Sequence, residues 1–166
     1  MIRKCSEADL SALYEIVNDA ARAYKGIIPA DRWREPYMPM QELKSEIAAG
    51  VRFWGCESDG ELLGVMGMQD KGEVDLIRHA YVKTAKRKQG IGSELLRHIE
   101  KSARKPILLG TWRDATWAVA FYEKNGYRRL SRQETERLLR KFWSIPERQI
   151  DTSVVLANAA WKSERG

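Results

Sequence analysis

The chain has 166 residues, of which 43% are hydrophobic and 31% charged, and its net charge is +6. This composition is typical of a folded protein, and the length suits one well-buried core, so we expect a single domain over residues 1–166. No apolar run reaches the ~20 residues that span a bilayer, and the N-terminal MIRKCSEADL is too polar for a secretory signal. We therefore expect a cytoplasmic protein with no membrane partner, whose positive charge favours an anionic ligand.

Cysteine usage excludes a disulfide framework. Cys5 and Cys56 are the two cysteines, and neither belongs to a CxxC pair or lies close to a histidine in the sequence. We predict that both are small buried hydrophobic residues and that the chain has no metal site.

The first half of the chain predicts two helices followed by three strands. Ser6 and Asp9 have the spacing of a capping box, and apolar residues then recur at helical spacing. Residues 25–40 hold three prolines, which break regular structure. The predicted elements are a strand over 2–5, a helix from Ser6 to about Tyr24, a helix over 41–49, a hairpin of 51–57 and 61–69, and a strand over 74–83.

In the second half, helices and strands alternate. The predicted elements are a helix over 92–104, a strand over 107–109, a helix over 115–125, a strand over 127–130, a charged helix over 134–142 and a strand over 152–156. The whole order predicts an α/β fold in which helices flank a mixed central β-sheet.

A basic, glycine-containing segment, RKQGIG at residues 87–92, precedes the third helix. The first amides of a helix have no intrahelical partner, and the helix dipole favours an anion there. Gly90 and Gly92 lack the Cβ atoms that would hold a pyrophosphate away from those amides. The segment therefore predicts phosphate binding, although short glycine patterns also occur in solvated surface turns. It is neither a Walker loop nor a dinucleotide fingerprint, which disfavours a nucleoside triphosphate enzyme.

Taken with FYEKNGY at 121–127, this segment resembles the signatures of the GNAT N-acetyltransferase superfamily. Its acyl-coenzyme A pyrophosphate loop, (R/Q)-x-x-G-x-(G/A), is similar to RKQGIGSELL at 87–96, with Arg87, Gly90 and Gly92 at the defined positions. Three further stretches are similar to its central strand, second signature and first elements: AYV at 80–82, AVAFYEKNGY at 118–127 and IRKCSEADL at 2–10. The resemblance extends from residue 1 to about residue 131.

The resemblance implies direct transfer of an acetyl group from acetyl-CoA to a primary amine. The residues that it implies for cofactor binding are Ala80, Tyr81, Val82, Arg87, Lys88, Gln89, Gly90, Ile91, Gly92 and Ser93. One departure stands out, because the asparagine that often precedes the alanine of the second signature by three residues is Ala115 here. One polar contact to the cofactor is therefore missing.

Tyr122 is the predicted general acid, which would protonate the departing thiolate. A phenol has a pKa of ~10 and a thiol one of ~8.5, so this proton transfer needs close positioning near the sulfur. The alternative is that Tyr122 is a core aromatic residue with its hydroxyl at the rim. His79 is the candidate general base, since an imidazole titrates near neutral pH, although a lone histidine is often structural.

Strict alternation along residues 74–83 predicts that Asp75, His79 and Tyr81 share one face of the strand, unless a bulge shifts the phase. The other face would carry Leu76, Arg78, Ala80 and Val82. Trp33 and Tyr37 are predicted to wall the acceptor site, or else to pack on the core as a lid. Trp112 and Trp117 could be core residues or could contact the acceptor.

Three functions are compatible with these residues. The first is an acetyltransferase for a small-molecule amine, and the second acts on a protein amine instead. The third, a nucleic-acid or ribosome-binding module, is disfavoured because charge runs are usually solvated and no interleaved aromatic motif accompanies them. That module would use Lys83, Lys86, Arg87, Lys88 and the arginines at 128, 129, 132, 137 and 140. The sequence leaves the oligomeric state open, and a homodimer is compatible with it.

Overall fold

A seven-stranded β-sheet forms the centre of the computed structural model, which describes residues 1–163. Its strands are β1 (Ile2–Lys4), β2 (Arg52–Ser58), β3 (Glu61–Asp70), β4 (Asp75–Val82), β5 (Ile107–Trp112), β6 (Arg128–Arg129) and β7 (Ser153–Ala157). The α-helices are α1 (Leu10–Ala21), α2 (Met40–Ala48), α3 (Ile91–Ser102), α4 (Thr116–Lys124), α5 (Arg132–Phe142) and α6 (Glu147–Asp151). None of these helices has the length and apolar character needed to cross a bilayer.

The strand order across the sheet is β1-β2-β3-β4-β5-β7-β6. Neighbouring strands are antiparallel except for β4 and β5, which are parallel and are joined through α3. The predicted α/β class with a mixed sheet is thereby confirmed.

Alternating side chains build a core on each face of the sheet. On one face, Ile77 and Leu109 pack with the buried sides of α3 and α4. On the other face, Leu76 and Leu108 pack with α5, and Phe53 packs with α1 and α2. Burying a leucine or isoleucine side chain contributes about 1.5–3 kcal/mol, so these layers hold the helices on the sheet.

The sheet opens where the two parallel strands separate. Pairing between β4 and β5 runs from Asp75 opposite Ile107 to Ile77 opposite Leu109. Both strands continue beyond this point, β4 to Val82 and β5 to Trp112, and β5 stays paired with β7 on its other side. The gap lies at the carboxyl ends of the parallel strands, where open α/β sheets bind ligands.

A bulge in β4 corrects the predicted alternation. Arg78 lies opposite Gly67 and Tyr81 opposite Val65, so two residues of β4 are accommodated between these pairs, against one residue of β3. The first of the two, His79, has a φ of 56°. This extra residue shifts the phase, and Ala80 and Val82 pack on the same core as Ile77, whereas Tyr81 packs towards α1. The predicted grouping of His79 and Tyr81 with Asp75 is therefore wrong.

Other differences from the sequence prediction have local causes. The first helix ends at Ala21, and a 3-10 turn, Arg22–Tyr24, follows it. The five-residue helix α6, which follows Pro146, is too short for hydrophobic periodicity to reveal it. Strand β5 extends past the apolar run to Trp112 because β7 pairs with it over that length.

Candidate active site

Two cavities meet at the gap between β4 and β5. The first, which we call the loop cavity, has a volume of about 600 Å³ and lies against the start of α3. The second, the polar cavity, has a volume of about 320 Å³ and lies between the segment that precedes α2 and the segment that precedes α6. The residues that line both cavities are Tyr24, Ala80, Tyr81, Ala118 and Tyr122.

The glycine-containing segment forms one end of the loop cavity. Gly90 is the N-cap of α3 with a φ of 80°, and no side chain caps this helix. The first intrahelical bond runs from the Glu94 amide to the Gly90 carbonyl at 3.0 Å. The preceding amides of the helix are thus left for a ligand or solvent. The lining of the loop cavity includes Val82, Lys86, Arg87, Lys88, Gly90, Ile91, Gly92 and Ser93, whereas Gln89 lies outside it.

The two glycines serve different structural needs. A Cβ atom at Gly90 would meet nothing within 4 Å, so this position needs glycine for its left-handed backbone. A Cβ atom at Gly92 would lie 3.2 Å from the ring of Phe121, so this glycine lets α3 approach α4 closely. Only at Gly90 does the missing Cβ atom leave open space beside the backbone, where a diphosphate could approach.

Cations supply charge to the loop cavity. Lys86 and Lys88 line it, and so does Arg87, whose Nη2 also donates to the Ala20 carbonyl at 3.2 Å. That bond ties the loop to the end of α1. The uncapped helix, the bare backbone and the positive charge together fit a diphosphate ligand.

Tyr122 lies on α4, and its side chain is only 6% exposed. Phe121 and Tyr127 pack against its ring, with centroid separations of 5.0 and 5.7 Å. Burial raises the pKa of Tyr122 above its ordinary value, so the phenol keeps its proton at neutral pH. The residue is part of the core and also borders both cavities, so the two sequence-based alternatives are compatible with each other.

An aromatic cluster around Tyr24 walls the junction, and sequence reasoning missed it. The Tyr24 ring lies 5.4 Å from Tyr37, 6.4 Å from Tyr81 and 6.0 Å from Trp117, measured between centroids. Burial raises the pKa of Tyr24, while hydrogen bonding with Tyr81 and Thr111 opposes the rise. Tyr24 closes the first helical segment, a position that the sequence marked only as a helix end.

Of the two predicted acceptor-site residues, Tyr37 lines the polar cavity and Trp33 does not. The Tyr37 hydroxyl accepts a hydrogen bond of 2.9 Å from Trp112 Nε1. Burial raises the pKa of Tyr37 to about 12. Trp33 stacks on Tyr37 at a centroid distance of 5.9 Å. Trp112 is buried and lines the polar cavity, whereas Trp117 is 42% exposed and lines the loop cavity.

His79 lies in the lining of the polar cavity, as does Tyr122. Its Nε2 is 3.5 Å from Glu46 Oε2, and Arg78 Nη2 is 3.5 Å from Glu46 Oε1. The interaction with His79 is the main cause that lowers the pKa of Glu46, and Arg78 adds to it, although burial acts in the opposite direction. Glu46, on α2, was not singled out from the sequence, because only the tertiary fold places it beside Arg78 and His79 of β4.

Asp75, by contrast, lines neither cavity. Its carboxylate lies 4.0 Å from Lys105, and burial raises the pKa of Asp75.

Cys56 is buried as predicted, and Cys5 is half-buried. Within residues 1–163, no three His, Cys, Asp or Glu side chains are grouped so that they could hold a metal ion.

Solved structures share this fold. PaiA N-acetyltransferase of Thermoplasma acidophilum, solved with coenzyme A, is 23% identical with a TM-score of 0.72, over 95% of this chain and 97% of that chain. Ribosomal-protein-alanine N-acetyltransferase of Brucella melitensis is 19% identical with a TM-score of 0.66, over 95% and 98%. YncA of Salmonella typhimurium, with its cofactor acetyl-CoA, is 20% identical with a TM-score of 0.60, over 79% and 80%.

The sequence itself also matches a known family. The model of the acetyltransferase (GNAT) domain matches residues 12–141, which include both motifs, the bulged strand and all of α5 except its last residue. The resemblance predicted from the two motifs is thus confirmed, and the chain belongs to the GNAT acetyltransferase family.

Proposed function

We propose that this acetyltransferase transfers the acetyl group of acetyl-CoA directly to the primary amine of a small molecule. One observation carries the proposal: the loop cavity and the polar cavity meet at Ala80 and Tyr122. A donor in one cavity and an acceptor in the other would have their reacting groups at this junction. Holding two reactants side by side removes much of the entropic cost of a bimolecular step.

The loop cavity is the proposed donor site. The start of α3, with Gly90 as its N-cap, would hold the diphosphate of acetyl-CoA, and Lys86 and Lys88 would add charge. Relatives solved with coenzyme A and acetyl-CoA support this role. Ala115 is fully buried and cannot replace the missing asparagine contact. The exposed Trp117 ring lines the cavity and offers an apolar contact instead.

The polar cavity is the proposed acceptor site. Its volume of about 320 Å³ is at the low end of the range for small-molecule sites, which is why we favour a small amine. Tyr37 would form part of its wall, with Trp33 supporting the Tyr37 ring from behind. An extended peptide would need an open groove.

Acetyl transfer requires that a C–N bond forms, that the C–S bond breaks, that the amine loses a proton and that the thiolate gains one. His79 is the proposed base that accepts the amine proton, and the Glu46 carboxylate would stabilise the imidazolium that results. Tyr122 is the proposed acid that donates its phenolic proton to the thiolate. Its raised pKa keeps that proton in place before transfer, and solvent exchange restores both groups after each turnover.

A protein acceptor is the second candidate. The Brucella melitensis relative named above is a ribosomal-protein-alanine N-acetyltransferase, which gives this alternative its support. A cytoplasmic location and a homodimer remain predictions from the sequence.

An amine panel tests the proposal. Acetyl-CoA consumption is measured with small amines, with peptides that have free N-termini and with lysine peptides, and RNA binding is measured separately. We expect turnover with at least one small amine and a value of kcat/KM that exceeds those of all the peptides. Faster turnover of peptides would favour the second candidate, and tight RNA binding without acetyl-CoA binding would contradict both.

A further inference from the structure

The polar cavity is lined by more cations than carboxylates. Its lining includes three arginines and two glutamates, which are Arg32, Arg34, Arg78, Glu42 and Glu46. Arg34 is paired with Glu42, and Arg78 contacts Glu46 and donates to Gln69. Both carboxylates of the cavity are therefore already engaged by cations.

Arg32 is the exception among these arginines. Within residues 1–163 it makes no ion pair, and its Nε–H is shielded from solvent without a hydrogen-bond acceptor. Its Nη2 donates to Gln149 Oε1 over a long 3.4 Å. The neighbouring carboxylate, Asp31, is paired with the exposed Arg148 at 3.4 Å instead. Of the guanidinium nitrogens, Nε is thus a shielded donor without an acceptor and Nη2 is only weakly used.

The positive charge of Arg32 acts inside the cavity. Burial raises the pKa of Tyr37, and the charge of Arg32 is among the influences that oppose the rise. The Nε–H and Nη2–H groups of arginine lie on the same side of the guanidinium, where they can bind a carboxylate through two parallel hydrogen bonds. A shielded N–H donor without an acceptor is costly unless a ligand satisfies it.

We infer that the amine acceptor of this enzyme also carries a carboxylate, which Arg32 binds in the polar cavity while the amine lies at the junction near Tyr122. This inference rests on the proposed function and narrows its substrate class to amino acids and similar amino-carboxylic acids. Diamines and polyamines fit less well, because no unpaired carboxylate lines the cavity to receive a second ammonium group.

Arg32 also contributes to structure through its bond with Gln149 on α6. The variants must therefore distinguish a role of Arg32 in binding the acceptor from its role in holding α6. Arg32→Gln removes the charge and keeps much of the side-chain length, and Arg32→Lys keeps the charge without the two-pronged geometry. Arg148→Gln is the matched control, because it removes a guanidinium from the same rim but outside the cavity lining.

The experiment compares acceptors of equal length. Initial rates with acetyl-CoA are measured for α-amino acids and their amides, and for ω-amino acids alongside the corresponding alkylamines and diamines. O-Phosphoethanolamine is included, because a guanidinium also binds phosphate. Melting temperatures with and without acetyl-CoA show whether each variant is folded and binds its donor.

We expect the wild-type enzyme to prefer the amino acid in at least one matched pair. In Arg32→Gln this preference should fall by about 10- to 100-fold, as expected for losing a hydrogen-bonded charge, mainly through KM. Arg32→Lys should recover part of the preference, and Arg148→Gln should retain all of it. If O-phosphoethanolamine were turned over better than any amino acid, Arg32 would be a phosphate-binding residue, and the inferred carboxylate would be wrong.

Two other results would overturn it in different ways. If Arg32→Gln slowed amino acids and alkylamines equally, or if diamines were the best substrates, the acceptor class would be wrong and the proposed acetyl transfer would stand. If acetyl-CoA bound but no amine in any series was acetylated, the proposed function would fail and the inference with it.

Discussion

Tyr122 is both a core residue and a candidate catalytic residue. Its ring belongs to the core, where Phe121 and Tyr127 hold it, and its edge borders both cavities. Burial raises the pKa of the phenol, which keeps it protonated but makes it a weaker acid. Its value in acetyl transfer would therefore come from its fixed position beside the thioester rather than from acidity.

Two substitutions separate chemistry from packing at Tyr122. Tyr122→Phe keeps the ring and removes the transferable proton, so we expect kcat to fall by about 10² or more while acetyl-CoA affinity changes little. Tyr122→Ala should also destabilise the fold by about 3–5 kcal/mol, because it leaves a cavity in the core. Steady-state rates, donor binding and thermal unfolding are measured on both variants. If the chemical step limits turnover and Tyr122→Phe still turns over at the wild-type rate, Tyr122 has no role in the mechanism.

Motifs and packing reveal different residues of the candidate site. The loop and the Tyr122 region could be proposed from the sequence because each forms a short stretch with its own physical signature. Tyr24, Arg32 and Glu46 carry no such signature, since a 3-10 turn or one helical position does not indicate what it will face. Only tertiary contacts bring them to the cavities: Tyr24 packs with Trp112 and Ala115, Arg32 donates to Gln149, and Glu46 contacts His79.

At the scale of elements, the start of α3 is shaped by its two glycines. Gly90 provides a left-handed backbone at the N-cap, and Gly92 allows the ring of Phe121 to approach. The sequence predicted that the missing Cβ atoms would give a phosphate access to the backbone. The structure adds that each glycine also has a role in the fold itself, so replacing either one tests stability as well as binding.

A second glycine with the same backbone conformation separates the effect on stability from the effect on binding. Gly72, in the turn before β4, has a φ of 83° and open space around it, as does Gly90 with a φ of 80°. Replacing either with Glu should cost about 1–2 kcal/mol, because a side chain disfavours this backbone conformation. At ~100 times its dissociation constant, acetyl-CoA should stabilise wild-type protein and Gly72→Glu by about 2.7 kcal/mol.

In Gly90→Glu we expect this stabilisation to be lost, since the new carboxylate blocks the loop and repels phosphate. Thermal unfolding of the three proteins with and without acetyl-CoA measures the effect. Equal stabilisation of both variants would show that the donor phosphates bind elsewhere.

The bulge in β4 marks the limit of periodicity as a guide. Alternation correctly describes Leu76 and Ile77, which pack on opposite cores, and it fails after Arg78. The stretch has no glycine or asparagine to mark the extra residue, and the positive φ falls on His79, a residue type that adopts it more often than most other non-glycine residues but far less often than glycine. A strand can thus be predicted correctly while the direction of its functional side chains is reversed.

At the scale of the whole molecule, the site exists because the sheet separates. The alternation of helices and strands was enough to predict a mixed sheet, since each type of element has its own period. The position of β7 between β5 and β6 was not predictable in the same way, because strand order depends on pairing between distant segments. That pairing keeps β5 in the sheet after it leaves β4, which creates the space for both cavities.

The meeting of the two cavities can be tested with a single side chain. Ala118 lines both of them, and Ala120 is exposed on the same helix outside either lining. Ala118→Leu should place a branched side chain in the junction, so we expect kcat/KM to fall by about 10² or more. Stabilisation by coenzyme A should persist, because the start of α3 is unchanged. Ala120→Leu controls for the substitution itself, since Leu and Ala are both good helix formers. Wild-type rates in Ala118→Leu would mean that donor and acceptor do not meet here, and the proposed path of acetyl transfer would have to be abandoned.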